Sequence, residues 1–222
     1  MGGEKYGEVA SRLAADTFVQ SITPFVIDED ATLPFESGNG GDYFLRALDH
    51  AVQGAHSAVV EYAAEHPSHQ GMGSTLTAAI YRSCTLYIAH VGDTRLYRLR
   101  KNELRQLTED HSKVQEMVKK KLIGPEQAKN HPQKNVITQC FGRKKQLKPD
   151  LSIESIEQND LYLLCSDGLT DMLEDENIRN ILLQSKTPEV AGKTLVDQAN
   201  LFGGKDNITV VLFQFCPLET SS

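Results

Sequence analysis

Thr85-Leu86-Tyr87-Ile88-Ala89-His90-Val91-Gly92-Asp93-Thr94-Arg95-Leu96-Tyr97-Arg98-Leu99 is the stretch that decides how this chain folds. Thr85 to Val91 is β-branched and apolar, Gly92-Asp93 is a turn dipeptide, and Arg95 to Leu99 alternates charged with apolar side chains. Upstream, Thr75 to Tyr81 is another short run, set off by Arg82-Ser83, so the three predict an antiparallel meander. Further on, Leu161 to Cys165 is apolar, too short for a helix and bounded by turn residues, which predicts a buried strand. A last strand is expected from Ile208 to Phe215.

Helical periodicity surrounds these strands. Tyr6, Val9, Ala10, Leu13 and Phe18 mark a helix to about Ile22, and Phe44, Leu48, Val52, Ala55, Val59 and Tyr62 mark another that ends before Pro67. Shorter helices are expected over His111–Leu122, about Pro125–Asn130, Asp175–Gln184 and Pro188–Phe202. Helices, strands, helices and a final strand predict an α+β layered domain, not a parallel βαβ sheet. One domain is expected over residues 1–216, with a disordered tail over 217–222.

The bulk properties exclude several classes. A formal charge of -7 and a pI near 5.5 argue against a surface for nucleic acid or an anionic membrane. Lys119-Lys120-Lys121 and Arg143-Lys144-Lys145 are short runs that fit solvated faces. No stretch approaches the roughly 20 apolar residues of a membrane span, and the N-terminus lacks a signal peptide pattern, so a cytoplasmic location is the default. Cys84, Cys140, Cys165 and Cys216 include no C-x-x-C pair and are expected to be reduced core residues. His66-x-x-His69 flanks a proline without an H-E-x-x-H pattern, His90 is expected in a strand, and helix capping by Asp110 or Ser112 outweighs a substrate role for His111. Gly203-Gly204-Lys205 lacks the hydroxyl residue of a phosphate-binding loop and fits a turn between helix and strand.

Three acidic residues stand where an apolar strand meets a turn: Asp93, Asp167 in Ser166-Asp167-Gly168, and Asp206 in Lys205-Asp206-Asn207. Carboxylates brought together at one sheet edge repel unless a cation neutralises them, and all-oxygen ligation suits Mg²⁺ or Mn²⁺. Each dipeptide by itself is an ordinary turn, and spacing alone does not establish that they converge.

Six motifs occur in order: Gly71-Met72-Gly73-Ser74-Thr75, His90-Val91-Gly92-Asp93-Thr94-Arg95-Leu96-Tyr97, Leu107-Thr108-Glu109-Asp110-His111-Ser112, Asn135-Val136-Ile137-Thr138-Gln139, Cys165-Ser166-Asp167-Gly168-Leu169 and Asp206-Asn207-Ile208-Thr209-Val210. With them the chain resembles the bacterial type 2C (PPM) metal-dependent serine/threonine protein phosphatases. The resemblance implies a sandwich of two antiparallel sheets flanked by paired antiparallel helices, and hydrolysis of phosphoserine or phosphothreonine by metal-activated water. It implies two or three Mn²⁺ or Mg²⁺ ions, with Asp167 and Asp206 matching ligands of the two-metal centre and Asp93 a third, looser site. Residues from about 109 to 135 resemble the family's flap. Phosphoprotein substrates and a serine/threonine kinase are the implied partners.

Met1-Gly2-Gly3 resembles the end of the family's Asp-Gly-Met-Gly-Gly motif, so the family's bridging Asp, the following Gly and an upstream Arg have no counterpart here. Glu4 stands where many bacterial members have a His, and no catalytic residue is carried over. A fragment or misassigned start is favoured over a shortened relative whose sheet edge another chain completes. Loss of those groups lowers the activity expected of this chain. The alternative is a non-catalytic module binding phosphoproteins or a kinase.

Overall fold

The computed structural model describes residues 6–28, 42–82, 84–143 and 147–215. In chain order the elements are α1 (Gly7–Ile27), α2 (Tyr43–Glu65), a 3-10 turn (Pro67–His69), β1 (Leu76–Arg82), β2 (Thr85–Val91), β3 (Arg95–Arg100) and β4 (Glu103–Gln106). There follow α3 (Lys113–Lys119), α4 (Pro125–Lys129), β5 (Asp150–Ser155), β6 (Leu161–Cys165), α5 (Asp167–Thr170), α6 (Asp175–Gln184), α7 (Pro188–Leu201) and β7 (Val210–Gln214). The chain forms two compact units, one of residues 1–92 and 111–154, the other of 93–110 and 155–222.

The first unit carries a sheet in the order β1-β2-β5, with β1 and β2 antiparallel from Leu76 opposite Val91 to Arg82 opposite Thr85. Its core is built by α1 and α2. Ala10 and Ala14 of α1 and Ala47, Ala51 and Ala55 of α2 are fully buried, and such small side chains let the two helices approach closely. Phe18, Ile22, Phe25, Leu48, Val52 and Val59 fill the space around them. Periodicity ended α1 near Ile22, whereas the helix runs through Pro24 to Ile27. The proline removes one backbone hydrogen bond, and burial of Phe25 offsets that loss. Asp42 starts α2 by accepting hydrogen bonds from Phe44 N–H and Leu45 N–H at 2.8 and 3.3 Å.

In the second unit the sheet order is β4-β3-β6-β7, antiparallel throughout. Tyr97, Leu163 and Cys165 project from its strands into a core completed by Ile178 and Leu182 of α6 and Ala191, Leu195 and Ala199 of α7. Each helix buries one apolar stripe and leaves its charged face to solvent, as the period of three and four predicts.

The predicted α+β class with two antiparallel sheets is what the molecule has, but the meander is not. β2 belongs to the first sheet and β3 to the second, so residues 92–94 form a crossing and not a hairpin. Strand signals identify extended segments without naming their partners, and Gly92, at φ 116°, permits the departure. The polar strands β4 and β5 and the one-turn helix α5 carried no usable periodicity. Cys140 and Cys165 are buried as expected, whereas Cys84 is exposed, at φ 60° beside the β1–β2 connection. Cys216 and the expected tail lie outside the described residues. Among the described residues no helix is long and apolar enough to cross a membrane.

Candidate metal centre

Antiparallel pairing places Arg95, Cys165 and Val210 side by side across β3, β6 and β7. Hence the start of β3, the end of β6 and the start of β7 share one end of the sheet. Asp93 precedes β3, Asp167 follows β6 and Asp206 lies in the loop before β7. All three carboxylates therefore belong to the second unit and to the same end of its sheet.

The Asp167 and Asp206 segments are laced to each other. Ser166 Oγ donates to the Asn207 carbonyl at 3.1 Å and accepts from Thr209 N–H at 3.0 Å, while Ser166 N–H donates to the Thr209 carbonyl at 3.1 Å. Gly168 packs so closely that a Cβ there would overlap the Asn207 carbonyl oxygen. Asp167 opens α5, and Asp206 accepts from Asn207 N–H at 2.7 Å. Nothing in the turn dipeptides signalled the part Ser166 plays. Its position between an apolar strand and an Asp-Gly turn was the only clue.

Electrostatics marks the same end. Burial, then repulsion from Asp167 and Asp110, pushes the Asp93 carboxyl up to about 6. Burial, then repulsion from Asp206 and Asp171, raises that of Asp167 as well. Asp206 is exposed. The three are thus brought together pairwise, Asp167 with each of the other two. Among the described residues none of the three takes part in an ion pair, and no group of three or more His, Cys, Asp or Glu is arranged to hold a metal ion by itself.

Arg95, whose partner the sequence left open, is committed elsewhere. Its Nε lies 2.9 Å from Asp110 Oδ1 and its Nη2 2.7 Å from Asp110 Oδ2, while Nη1 donates to Tyr97 OH at 3.0 Å. Tyr97 OH donates in turn to Asp175 Oδ1 at 2.9 Å, and Gln106 Nε2 donates to Asp110 Oδ1 at 3.1 Å. This network joins β3, β4, the 107–110 segment and the start of α6, and leaves the guanidinium facing a carboxylate that is not one of the three.

Other candidates resolve into structure. Ser112 caps α3, its Oγ accepting from Gln115 N–H at 3.3 Å. His90 is buried and its Nδ1 lies 2.9 Å from Thr77 Oγ1. His66 and His69 flank and end the 3-10 turn, their rings in contact with Tyr62. Gly203 and Gly204, at φ 127° and 48°, terminate α7, with Gly204 N–H donating to the Ala199 carbonyl at 3.2 Å.

Asp93 and Asp167, part-buried carboxylates with no ion-pair partner among the described residues, raised first by burial and then by carboxylate neighbours, form a donor set that suits a hard divalent ion. Mg²⁺ in particular is held by one or two carboxylates and keeps several waters, so pairwise carboxylates fit it without a complete cage.

A family model described as protein phosphatase 2C matches residues 1–188. The serine/threonine phosphatase stp of Listeria monocytogenes is 36% identical over 218 residues, covering 96% of this chain and 81% of that protein. The crystal structure of the Mycobacterium tuberculosis serine/threonine phosphatase PstP/Ppp superposes with a TM-score of 0.83 at 36% identity, covering 98% of this chain and 86% of that one. That of the catalytic domain of PstP in complex with 2 manganese ions gives a TM-score of 0.77 at 36% identity, covering 97% and 84%.

Proposed function

The chain belongs to the protein phosphatase 2C family, and we propose that it hydrolyses phosphoserine and phosphothreonine in protein substrates, using Asp93, Asp167 and Asp206 as ligands for Mn²⁺ or Mg²⁺. The observation that carries the site assignment is the gathering of carboxylates, none with an ion-pair partner among the described residues, around Asp167 at one end of a sheet. Such ions, when bound, lower the pKa of coordinated water and neutralise charge on a phosphoryl group.

The residues of the chain have separable tasks. Asp167 and Asp206 present oxygens from two loops that Ser166 and Gly168 keep together. Asp93 supplies a carboxylate from the 92–94 crossing. Asp110 engages Arg95, which withholds that cation from the three carboxylates and leaves their charge for the ions. Cysteine chemistry is disfavoured at Cys165, because burial pushes its thiol up to about 12 and suppresses the thiolate.

Both units belong to one phosphatase domain, with residues 109–135 as its flap. A serine/threonine kinase that makes the phosphoprotein is the natural antagonist, and the cytoplasm the natural compartment. Among the described residues β7 ends the strand order of its sheet, so a strand from another chain would pair there.

The test is hydrolysis of p-nitrophenyl phosphate and of a phosphothreonine peptide by the purified chain with and without Mn²⁺. Mn²⁺-dependent turnover that Asp167→Asn abolishes is expected. An inactive chain that still binds the phosphopeptide would replace this reading with a non-catalytic phosphoprotein-binding module.

A further inference from the structure

His111 lies in a motif that the proposed chemistry does not use, yet it is buried and clamps the peptide immediately before Asp93. Gly92 N–H donates to His111 Nδ1 at 3.1 Å, and His111 N–H donates to the Gly92 carbonyl at 2.7 Å. Both polar groups of Gly92 are thus held by one residue. From another side a Cβ on Gly92 would overlap the Thr75 side chain, so the glycine is boxed between Thr75 and His111 at φ 116°.

The clamp defines the state of the ring. Because Nδ1 accepts from Gly92, the ring proton sits on Nε2, which lies 3.2 Å from Asp150 Oδ2 but makes no hydrogen bond. The His90 ring lies 4.8 Å away, tilted by 48°, and restricts rotation. On the opposite side of the residue, Thr138 N–H donates to the His111 carbonyl at 2.7 Å. Imidazole, main-chain amide and carbonyl are all committed, and two of the three commitments are to Gly92.

We propose that His111 is a positioning residue, whose imidazole and main-chain amide fix the Gly92 peptide and thereby the backbone that leads directly into Asp93, a proposed metal ligand. It touches neither ion nor substrate. The inference rests on the metal reading of Asp93, and supporting residues one step from a ligand typically change metal affinity by about 10- to 100-fold.

Asparagine places a side-chain oxygen near the Nδ1 position, whereas glutamine reaches towards the Nε2 position. The experiment therefore compares His111→Asn, His111→Gln and His111→Ala in the full chain. Two quantities are read: hydrogen exchange of the Gly92 amide by NMR in metal-free protein, and Mn²⁺ affinity by calorimetry. Loss of one hydrogen bond predicts about tenfold faster Gly92 exchange in the Ala and Gln variants, with near wild-type protection in Asn. Mn²⁺ affinity is expected to fall about tenfold in Ala and Gln and to recover in Asn.

Wild-type Gly92 protection in His111→Ala, or equal losses in all three variants, would overturn the proposal. So would altered Gly92 exchange with unchanged Mn²⁺ affinity. Should His111→Ala fail to fold, the Asn and Gln pair decides alone. A wild-type chain that binds no Mn²⁺ would overturn the metal reading and the inference with it, whereas binding lost in Asp167→Asn but untouched by His111 variants would sink the inference only.

Discussion

At the end of the second sheet where Leu99, Leu161 and Gln214 lie opposite one another, Asp160 is 1% exposed and fully provided for. Burial works against its charge, but Arg100, Glu157 N–H and Tyr162 OH all donate to it and hold its carboxyl below the usual range. At the other end of the same strands, Asp93 and Asp167 are part-buried, have no such cation among the described residues, and repel their neighbours. A carboxylate that serves the fold arrives with its counter-charge; those that lack it here are the ones we propose as metal ligands. The sheet displays both cases a strand's length apart.

The largest expected effects test that contrast directly. Asp160→Ala removes the hydrogen bonds that Arg100 Nε and Nη2 donate to that carboxylate, and is expected to lower folding stability by about 2 kcal/mol in metal-free buffer. Folded Asp160→Ala protein is expected to retain Mn²⁺-dependent turnover. Asp167→Asn removes repulsion instead, so its stability in EDTA is expected to equal or exceed that of the wild type. Urea unfolding of the two variants supplies the comparison, and a destabilised Asp167→Asn would show that this carboxylate is structural after all.

A smaller effect appears with pH. The Asp93 carboxyl is raised from 3.8 to about 6, so the folded state binds a proton that the unfolded state does not, and metal-free protein gains stability as pH falls. Between pH 7 and 5 the gain is about 1 kcal/mol, and Asp93→Asn is expected to abolish it. Asp160 has the opposite sign. Its contribution is complete above the ordinary carboxylate range and is lost only at more acid pH, so Asp160→Asn leaves the change between pH 7 and 5 intact. The difference in urea midpoint between wild type and each variant isolates these groups from other titrations.

Much of the fold was legible because burial is periodic. The α2 stripe and the Leu161–Cys165 run located their elements to within a residue or two, since each buries one face or two faces of a regular backbone. β4 and β5 were not legible, because their residues are largely polar and half exposed. Nor was the allocation of β2 and β3 to separate sheets, because strand signals do not name pairing partners. At the acidic end the three carboxylates were visible as residues preceding or following strands. What holds them was not: Ser166, Gly168 and the Arg95–Asp110 pair act through contacts between distant segments, and spacing is silent about those. Some motif residues turn out to lace backbone together, as when Phe141 N–H donates to the Ser74 carbonyl at 2.8 Å and Thr138 N–H to that of His111.

Ser166 gives the finest test of the contrast between the two sheet ends, because it does with a neutral hydroxyl what Arg100 does with charge. Its Oγ takes one hydrogen bond and gives another, and both partners lie in the 207–209 segment next to Asp206. Ser166→Ala keeps the main-chain bond to Thr209 and removes the two side-chain bonds, so a stability loss of about 1 kcal/mol is expected, below that of Asp160→Ala. If the hydroxyl only stabilised the fold, Mn²⁺ affinity would stay at the wild-type value. Because it sets the spacing of two proposed ligand loops, affinity is expected to fall about tenfold while pH dependence through Asp93 is unchanged. Loss of stability without loss of affinity would assign Ser166 to the fold alone and move the boundary between the two kinds of sheet end one residue closer to Asp167.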